Sequence, residues 1–167
     1  MDLHGKVAEA AIAALIGEVI SERGQTRIIY ALDGDDDWVI KEGRSAPYAA
    51  NATEWEVWSE LQGSEMADLF AECRAVSTSY RYLIMRRLKP DIGSAPKPSL
   101  PAWLTDRKVS GLGLASDGSI KVVDYGAAGG VPGERADAPL NPWPNLGLID
   151  EMAKWRAILD ENGDASA

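Results

Sequence analysis

Residues 105–126, TDRKVSGLGLASDGSIKVVDYG, constrain this chain more than any other stretch, because they set two aspartates at the two ends of one β-hairpin. Asp106 stands in the loop that enters it. Leu112 and Leu114 begin a short strand, Ser116-Asp117-Gly118 makes the turn, and Ile120-Lys121-Val122-Val123 returns as a second strand that stops at Asp124-Tyr125-Gly126. A hairpin is stiff, so carboxylates at its entry and exit can be held near one ligand.

The rest of the chain alternates strands with few helices. Residues 3–16 place Val7, Ile12, Leu15 and Ile16 at helical spacing, which predicts a short amphipathic helix. A strand over 18–21, a turn at 22–25 and a strand over 27–32 follow. Asp33-Gly34-Asp35-Asp36-Asp37 reads as a turn before a third strand, Trp38-Val39-Ile40-Lys41. A helix is expected over 52–61, with Asn51 as its N-cap, and Gly63 stops it. Two strands, 71–76 and 80–86, surround Ser77-Thr78-Ser79. Residues 89–104 are rich in proline and form an extended crossover. Leu148, Met152, Trp155 and Leu159 mark a final amphipathic helix. The expected fold is α+β: a five-stranded antiparallel sheet with one crossing helix, plus a reduced second part holding the hairpin and the C-terminal helix. All 167 residues form one compact domain on this reading, with divisions at 17–88, 89–104 and 105–167.

Charge and residue usage narrow the function classes. The formal charge of -9 argues against a general nucleic-acid or membrane-surface binder, since either needs a basic face. The one cysteine, Cys73, rules out an internal disulfide framework and a multi-cysteine zinc site, and its apolar neighbours read as a buried thiol. The one histidine, His4, is near the start, so a Ser-His-Asp or Cys-His mechanism has no base. The longest apolar stretch, 7–20, contains Glu9, Gly17 and Glu18 and is too short to span a bilayer. With Asp2 it also argues against a signal peptide, and a cytoplasmic location is expected. Trp103 and the Pro142-Trp143-Pro144 loop read either as partner anchors or as core.

Over residues 17–126 this order of elements, with its particular residues, resembles the protein-kinase fold, and especially the very small kinase-like proteins of bacteriophages. Residues 24–30 stand where the kinase strand-turn-strand covers the nucleotide. Trp38-Val39-Ile40-Lys41 stands at V-A-I-K, Glu54 at the glutamate of the first helix, and residues 82–88 at the strand entering the hinge. Asp106 stands at the catalytic-loop aspartate and Asp124-Tyr125-Gly126 at D-F-G. The resemblance implies nucleotide-binding roles for Lys41 and Glu54, with Lys41 on the α- and β-phosphates and Glu54 aiming it. It implies Mg²⁺ on Asp124 and a substrate proton accepted by Asp106. Each residue also has a plain reading: Lys41 a solvated strand end, Glu54 a capping-box acceptor for the Asn51 N–H, Asp124 a turn former, Asp106 a loop carboxylate.

The chain departs from that family where chemistry is done. Five residues after Asp106, kinases have a metal-binding asparagine; this chain has Gly111, which offers no ligand. Thr105 replaces the usual preceding histidine. The turn over the phosphates has only Gly24, and Glu22 brings negative charge toward it. No A-P-E follows Asp124, so a peptide-substrate platform is expected to be missing. The expectation is a degenerate kinase-like, pseudokinase-type protein, phage-encoded and acting in the host cytoplasm. It would bind and modulate or inhibit a host protein, such as a defence complex, and require no cofactor. Asp33, Asp35, Asp36 and Asp37 are the candidate contact for a basic protein partner. No direct nucleic-acid or membrane binding is expected. The alternatives are a minimal active kinase using ATP and Mg²⁺, and an α+β interaction domain unrelated to nucleotides.

Overall fold

The structure, a computed structural model, describes residues 3–143. Its centre is a mixed six-stranded sheet in the order β1-β5-β6-β4-β3-β2. The members are β1 (Gly5–Val7), β2 (Ile16–Ser21), β3 (Arg27–Leu32), β4 (Asp35–Gly43), β5 (Cys73–Ser77) and β6 (Tyr82–Arg86). The five strands expected from the sequence are present and pair antiparallel with one another. The sixth, β1, is a correction: it runs parallel to β5, with Gly5 opposite Ala75 and Val7 opposite Ser77.

That strand takes up part of the segment expected to be one helix. Only Glu9–Ala13, here α1, is helical. The outer edge of β5 would otherwise leave its backbone groups unpaired, and an extended 5–7 segment satisfies them. Gly5, at φ +75°, permits the bend that a helix would not have contained. Ile12 then packs with no exposed surface against Leu32, Trp38, Ile40, Ala75, Tyr82 and Ile84. This is one face of the sheet.

The other face carries the larger core. Helix α2 (Ala49–Leu61) buries Val57 and Leu61 there, with Val39, Val76, Leu83 and Met85 from the strands. A single-turn 3-10 helix at Glu65–Leu69 brings in Met66, and Phe70 follows it. The crossover contains a two-residue strand β7 (Leu100–Pro101), which pairs with β10 (Leu140–Asn141). The hairpin β8 (Leu112–Leu114) and β9 (Ile120–Val122) forms as expected, with Leu112 opposite Val122. Gly113 lets it approach the segment that follows β6: a Cβ there would lie 2.6 Å from the Leu88 Cβ. Trp103 is core, stacked on Phe70 with ring centres 5.5 Å apart and donating from Nε1 to the Arg135 carbonyl. Cys73 is buried, as expected.

The acidic run also differs from its sequence reading. The turn is confined to Asp33-Gly34, and Asp35, Asp36 and Asp37 already belong to β4. Arginines on β5, on β6 and just after β6 explain why three consecutive acids accept extended backbone. Arg74 pairs with Asp35 at 3.4 Å, Arg86 with Asp37 at 3.2 Å, and Arg87 approaches Asp36 at 4.0 Å. Among the described residues, no helix is long and apolar enough to cross a membrane. The helix expected over 148–159 lies outside the described residues.

Candidate functional site

Strand alternation decides which side chains meet beneath the hairpin. On β4, Val39 and Lys41 face the larger core, while Trp38 and Ile40 face the other way. On β3, Ile29 lies opposite Lys41 and Arg27 opposite Gly43, so Arg27 and Ile29 share the Lys41 side. Helix α2 crosses the same face and turns Glu54 inward, fully buried. The exit of β9 then delivers Val123 and Asp124 to this point.

The result is a chain of ion pairs. Lys41 Nζ donates to both Glu54 oxygens, at 3.1 and 2.9 Å, and to the Val123 carbonyl at 2.5 Å. Arg27 Nη1 stands 2.7 Å from Glu54 Oε2. Arg27 Nη2 donates to Asp124 Oδ1 at 2.5 Å. Glu54 Oε1 also accepts the Tyr125 N–H at 3.2 Å. Two cations and two carboxylates thus balance one another within one cluster.

Burial and pairing compete in setting the ionisation of these groups. Burial works against the Asp124 carboxylate, but the charges of Arg27 and then Lys41 outweigh it and hold that carboxyl below its ordinary value. Burial likewise opposes the Arg27 charge, and Glu54 with Asp124 overcomes it, raising the guanidinium's value. For Lys41 burial wins: its ammonium is held below the ordinary lysine value despite Glu54, and the nearby Arg27 charge adds to the lowering.

The structure therefore brings Lys41, Glu54 and Asp124 together. The plain readings of Lys41 and Glu54 do not hold, since Lys41 is buried and Glu54 points into the cluster. Asn51 is not the N-cap either. Helix α2 starts at Ala49 behind Tyr48, which has φ 56° and makes no side-chain cap. The Asn51 amide instead donates to the carbonyls of Lys41, Tyr80 and Arg81 at 3.0, 3.1 and 2.8 Å, fastening α2 to β4 and to the residues that lead into β6.

Asp124-Tyr125-Gly126 is more than a turn. Tyr125 is buried, with its hydroxyl donating to the Ala71 carbonyl at 2.9 Å and lying 3.1 Å from the Cys73 sulfur. Its ring meets Phe70 edge-on at 5.1 Å. Gly126 lies against Ala50 so closely that a Cβ would stand 3.0 Å from the Ala50 Cα. Both contacts fix where Asp124 points.

Asp106 is not part of the ion-pair chain. Its Oδ2 pairs with Lys108 at 2.6 Å near the surface. Lys108 nevertheless adds to the positive field at Asp124, which links the two hairpin ends electrostatically. The backbone of Gly111 lies between them: its carbonyl accepts the Val123 N–H at 2.8 Å and the Asp124 N–H at 3.3 Å. Asp35, Asp36 and Asp37 lie elsewhere, on β4, in a strip they share with Arg74, Arg86 and Arg87, and Asp33 sits in the turn before them.

Arg27 and Lys108 were missed in the sequence reading. Arg27 was legible in principle, because period-two alternation from Ile29 puts it on the cleft side of β3. Lys108 carried no signal beyond its spacing of two from Asp106.

Beside the cluster is an open cleft of about 470 Å³, lined on its apolar side by Ile20, Ile29, Val39, Met85, Leu88 and Leu112. Arg27, Lys41 and Asp124 form its polar end. A phosphate-bridging Mg²⁺ does not fit these residues. Asp124 is engaged by a guanidinium, and Gly111 has no side chain to offer.

Comparison of the sequence with protein-family models and with curated proteins gives no match. Among solved structures, an apo pseudokinase is similar to this chain with a TM-score of 0.48 and 10% sequence identity, over 75% of this chain. The chain spans 60% of that protein's length.

Proposed function

We propose that this chain is a degenerate kinase-like protein that acts by binding and modulating or inhibiting another protein, not by transferring phosphate. The observation that carries this reading is the Arg27–Asp124 pair at 2.5 Å. Phosphoryl transfer needs an anionic ligand that holds a cation against the phosphates, together with a lysine aimed at them. Here Asp124 is spent on a cation belonging to the chain itself. The Lys41–Glu54 pair and the buried Tyr125 support a kinase-like ancestry for the scaffold. Lys41 and Asp124 converge on one cluster, which disfavours an interaction domain with no connection to nucleotide chemistry.

The resemblance to small bacteriophage proteins makes a host protein the natural target, in the host cytoplasm. The strip of Asp33, Asp35, Asp36 and Asp37 remains the proposed contact, with Asp36 and Asp37 the most exposed of the paired carboxylates. Because Arg74, Arg86 and Arg87 interleave with it, a partner has to match an alternating charge pattern and not simply be basic.

One observation favours a second reading, a minimal ATP- and Mg²⁺-dependent kinase: Lys41 and Glu54 already hold the paired geometry such an enzyme uses. That enzyme would have to release Asp124 from Arg27 on each turnover. Incubation with γ-labelled ATP and Mg²⁺ or Mn²⁺, with and without a generic protein substrate, separates the two. The binding reading expects no label on either protein; label that disappears in Asp106→Asn would establish the kinase.

A further inference from the structure

Away from the cleft, a smaller cavity of about 200 Å³ lies between the start of β3, the end of β4 and the first turn of α2. Helix α2 has 13 residues, no side-chain cap and no acidic residue in its first turn. Asn51 and Ala52 donate their N–H groups to the Tyr48 carbonyl, at 3.1 and 3.2 Å. Among the described residues, the Ala49 and Ala50 N–H groups have no hydrogen-bond partner, and both residues line the cavity. The positive end of the helix dipole therefore opens here. Tyr48 fixes the wall. At φ 56° it turns the chain into the helix, and its ring packs so tightly on Gly43 that a Cβ there would lie 2.6 Å from Tyr48 Cδ1. Thr26 and Ser45, both exposed, bring hydroxyls to the rim.

A second observation is independent of the helix end. Asn51 is 1% exposed and lines the same cavity. Its Nδ2 is taken up by the carbonyls of Lys41, Tyr80 and Arg81, which fixes the orientation of the amide. Among the described residues, its buried Oδ1 has no partner. Such an acceptor is costly to leave unmet, and fastening α2 to the sheet explains Nδ2 but not Oδ1. A ligand here has to bring negative charge and an N–H donor together. A phosphate or sulfate ion suits the helix N–H groups but sets its oxygens against Oδ1. An amine suits Oδ1 but meets the positive end of a helix, with Arg27 in the same wall. The last residue of a polypeptide has both groups, a carboxylate and, on the same α-carbon, an N–H. The volume is below the roughly 300 Å³ at which small-molecule clefts begin, and suits one small residue.

We propose that this cavity captures the free C-terminal residue of a partner protein, with its carboxylate at the first N–H groups of α2 and its own N–H on Asn51 Oδ1. The proposal rests on the protein-binding reading and names the part of the partner that is recognised. The Thr26 and Ser45 hydroxyls supply further donors at the rim, and the tight Tyr48–Gly43 contact keeps the end residue small.

Isothermal titration of the full chain with N-acetylglycylalanine tests this, beside its C-terminal amide, the analogue with an ester oxygen in place of the last N–H, and inorganic phosphate. The free acid is expected to bind at millimolar concentration, and the amide and the ester each about tenfold more weakly or worse, the loss of one charge-assisted or buried hydrogen bond. Phosphate is expected to bind no better than either. No heat and no melting shift with the free acid overturns the proposal. Equal binding of the amide overturns the role of the carboxylate, equal binding of the ester overturns that of Asn51, and phosphate as tight as the free acid reduces the cavity to an anion site; each of these sinks the proposal. Ala49→Asp places a carboxylate in the exposed first turn, and is expected to raise the melting temperature while abolishing peptide binding. Ala49→Glu serves if that variant does not fold, and a folded variant that binds the free acid as before contradicts the proposal. Failure of all these peptides sinks this inference alone, whereas phosphoryl transfer by the unaltered protein sinks the non-catalytic reading whatever the peptides do.

Discussion

Arg27 and Asp124, 97 residues apart in sequence, meet in an ion pair of 2.5 Å at the polar end of the cleft. The same guanidinium reaches Glu54 at 2.7 Å, so one side chain joins β3, α2 and the end of the hairpin. The planar fork sets two separate nitrogens against the two carboxylates, Nη1 beside Glu54 and Nη2 bonded to Asp124, where a lysine would offer one. The pair answers structurally for a site whose sequence suggests a metal ligand. Its consequences can be measured.

Removing Arg27 leaves the fully buried Glu54 with Lys41 as its one remaining charged partner. Arg27→Ala is expected to cost about 1–3 kcal/mol, the range for leaving a buried group short of a partner, read as a lower urea midpoint with unchanged slope. Asp124 has a side chain 49% exposed, so Asp124→Ala should cost less. The coupling in the double-mutant cycle should be at most about 1 kcal/mol, because solvent screens the pair. Equal losses from the two single variants would show that Asp124, and not Glu54, is the main partner.

Gly111 has room for a side chain. A Cβ there would lie 3.6 Å from the Asp124 Cβ, an ordinary contact. Gly111→Asn should therefore fold, and should by itself bring no Mg²⁺-dependent melting shift with ATP, since Arg27 still holds Asp124. Combined with Arg27→Ala it should bring one. A metal-dependent shift in the single variant would mean that the lost asparagine, and not Arg27, is what disables the site.

The segment after Gly126 is tied to α2 through Glu60. Its Oε1 accepts the Gly133 and Arg135 N–H groups at 2.9 and 2.8 Å, and its Oε2 pairs with the Arg135 guanidinium at 2.7 Å. Glu60→Ala should speed hydrogen exchange at the Gly133 and Arg135 amides while leaving β4 and β6 unchanged. Faster exchange throughout α2 would show instead that this tie supports the whole helix.

Acid should destabilise the protein in a defined window. Asp124, Glu42 and Glu60 all have carboxyls held below their ordinary values of 3.8, 4.5 and 4.5. Burial opposes each carboxylate; Arg27 outweighs it for Asp124, the Tyr30 and Arg81 hydrogen bonds for Glu42, and the Arg135 backbone and side chain for Glu60. A folded-state value below the unfolded one means that the unfolded chain takes up protons first, so stability falls with falling pH. The contribution is complete above about pH 4.5 and is lost as pH drops through the lower folded values. Urea midpoints that stay flat down to pH 3 would contradict these pairings.

Cys73 should resist thiol reagents until the protein unfolds. Burial pushes its thiol well up, and the Glu54 charge adds to this. Tyr125→Phe removes the hydroxyl that bonds Ala71 and touches Cys73, and should cost about 1–2 kcal/mol. Thiol reactivity in the native state should rise only slightly, because the ring still fills the space. Rapid labelling of the unaltered protein would show that this part of the core opens.

Much of this was written in local pattern. The hairpin and the five antiparallel strands follow from alternation, turn residues and order, whereas the meeting of Lys41 with Glu54 was implied by the resemblance to kinases. The sixth strand was not legible, because Val7, Ile12 and Ile16 fit one long helix as well as a strand, a short helix and a second strand. Only the open edge of β5 decides between them. The acidic run misled for a similar reason: consecutive aspartates favour a turn until arginines brought in by β5 and β6 are there to receive them. Arg27 could be placed on the cleft side by counting, but its two partners come from elements 27 and 97 residues away. Its bridging role is therefore a tertiary fact.

The most direct test is a Mn²⁺ titration of the full chain in the presence of ATP, with free and bound ion distinguished by electron paramagnetic resonance. If Arg27 is the cation that Asp124 holds, the protein leaves the Mn²⁺·ATP spectrum unaltered, and Arg27→Ala produces a bound signal. A stoichiometric bound signal with the unaltered protein, lost in Asp124→Ala, would contradict the account.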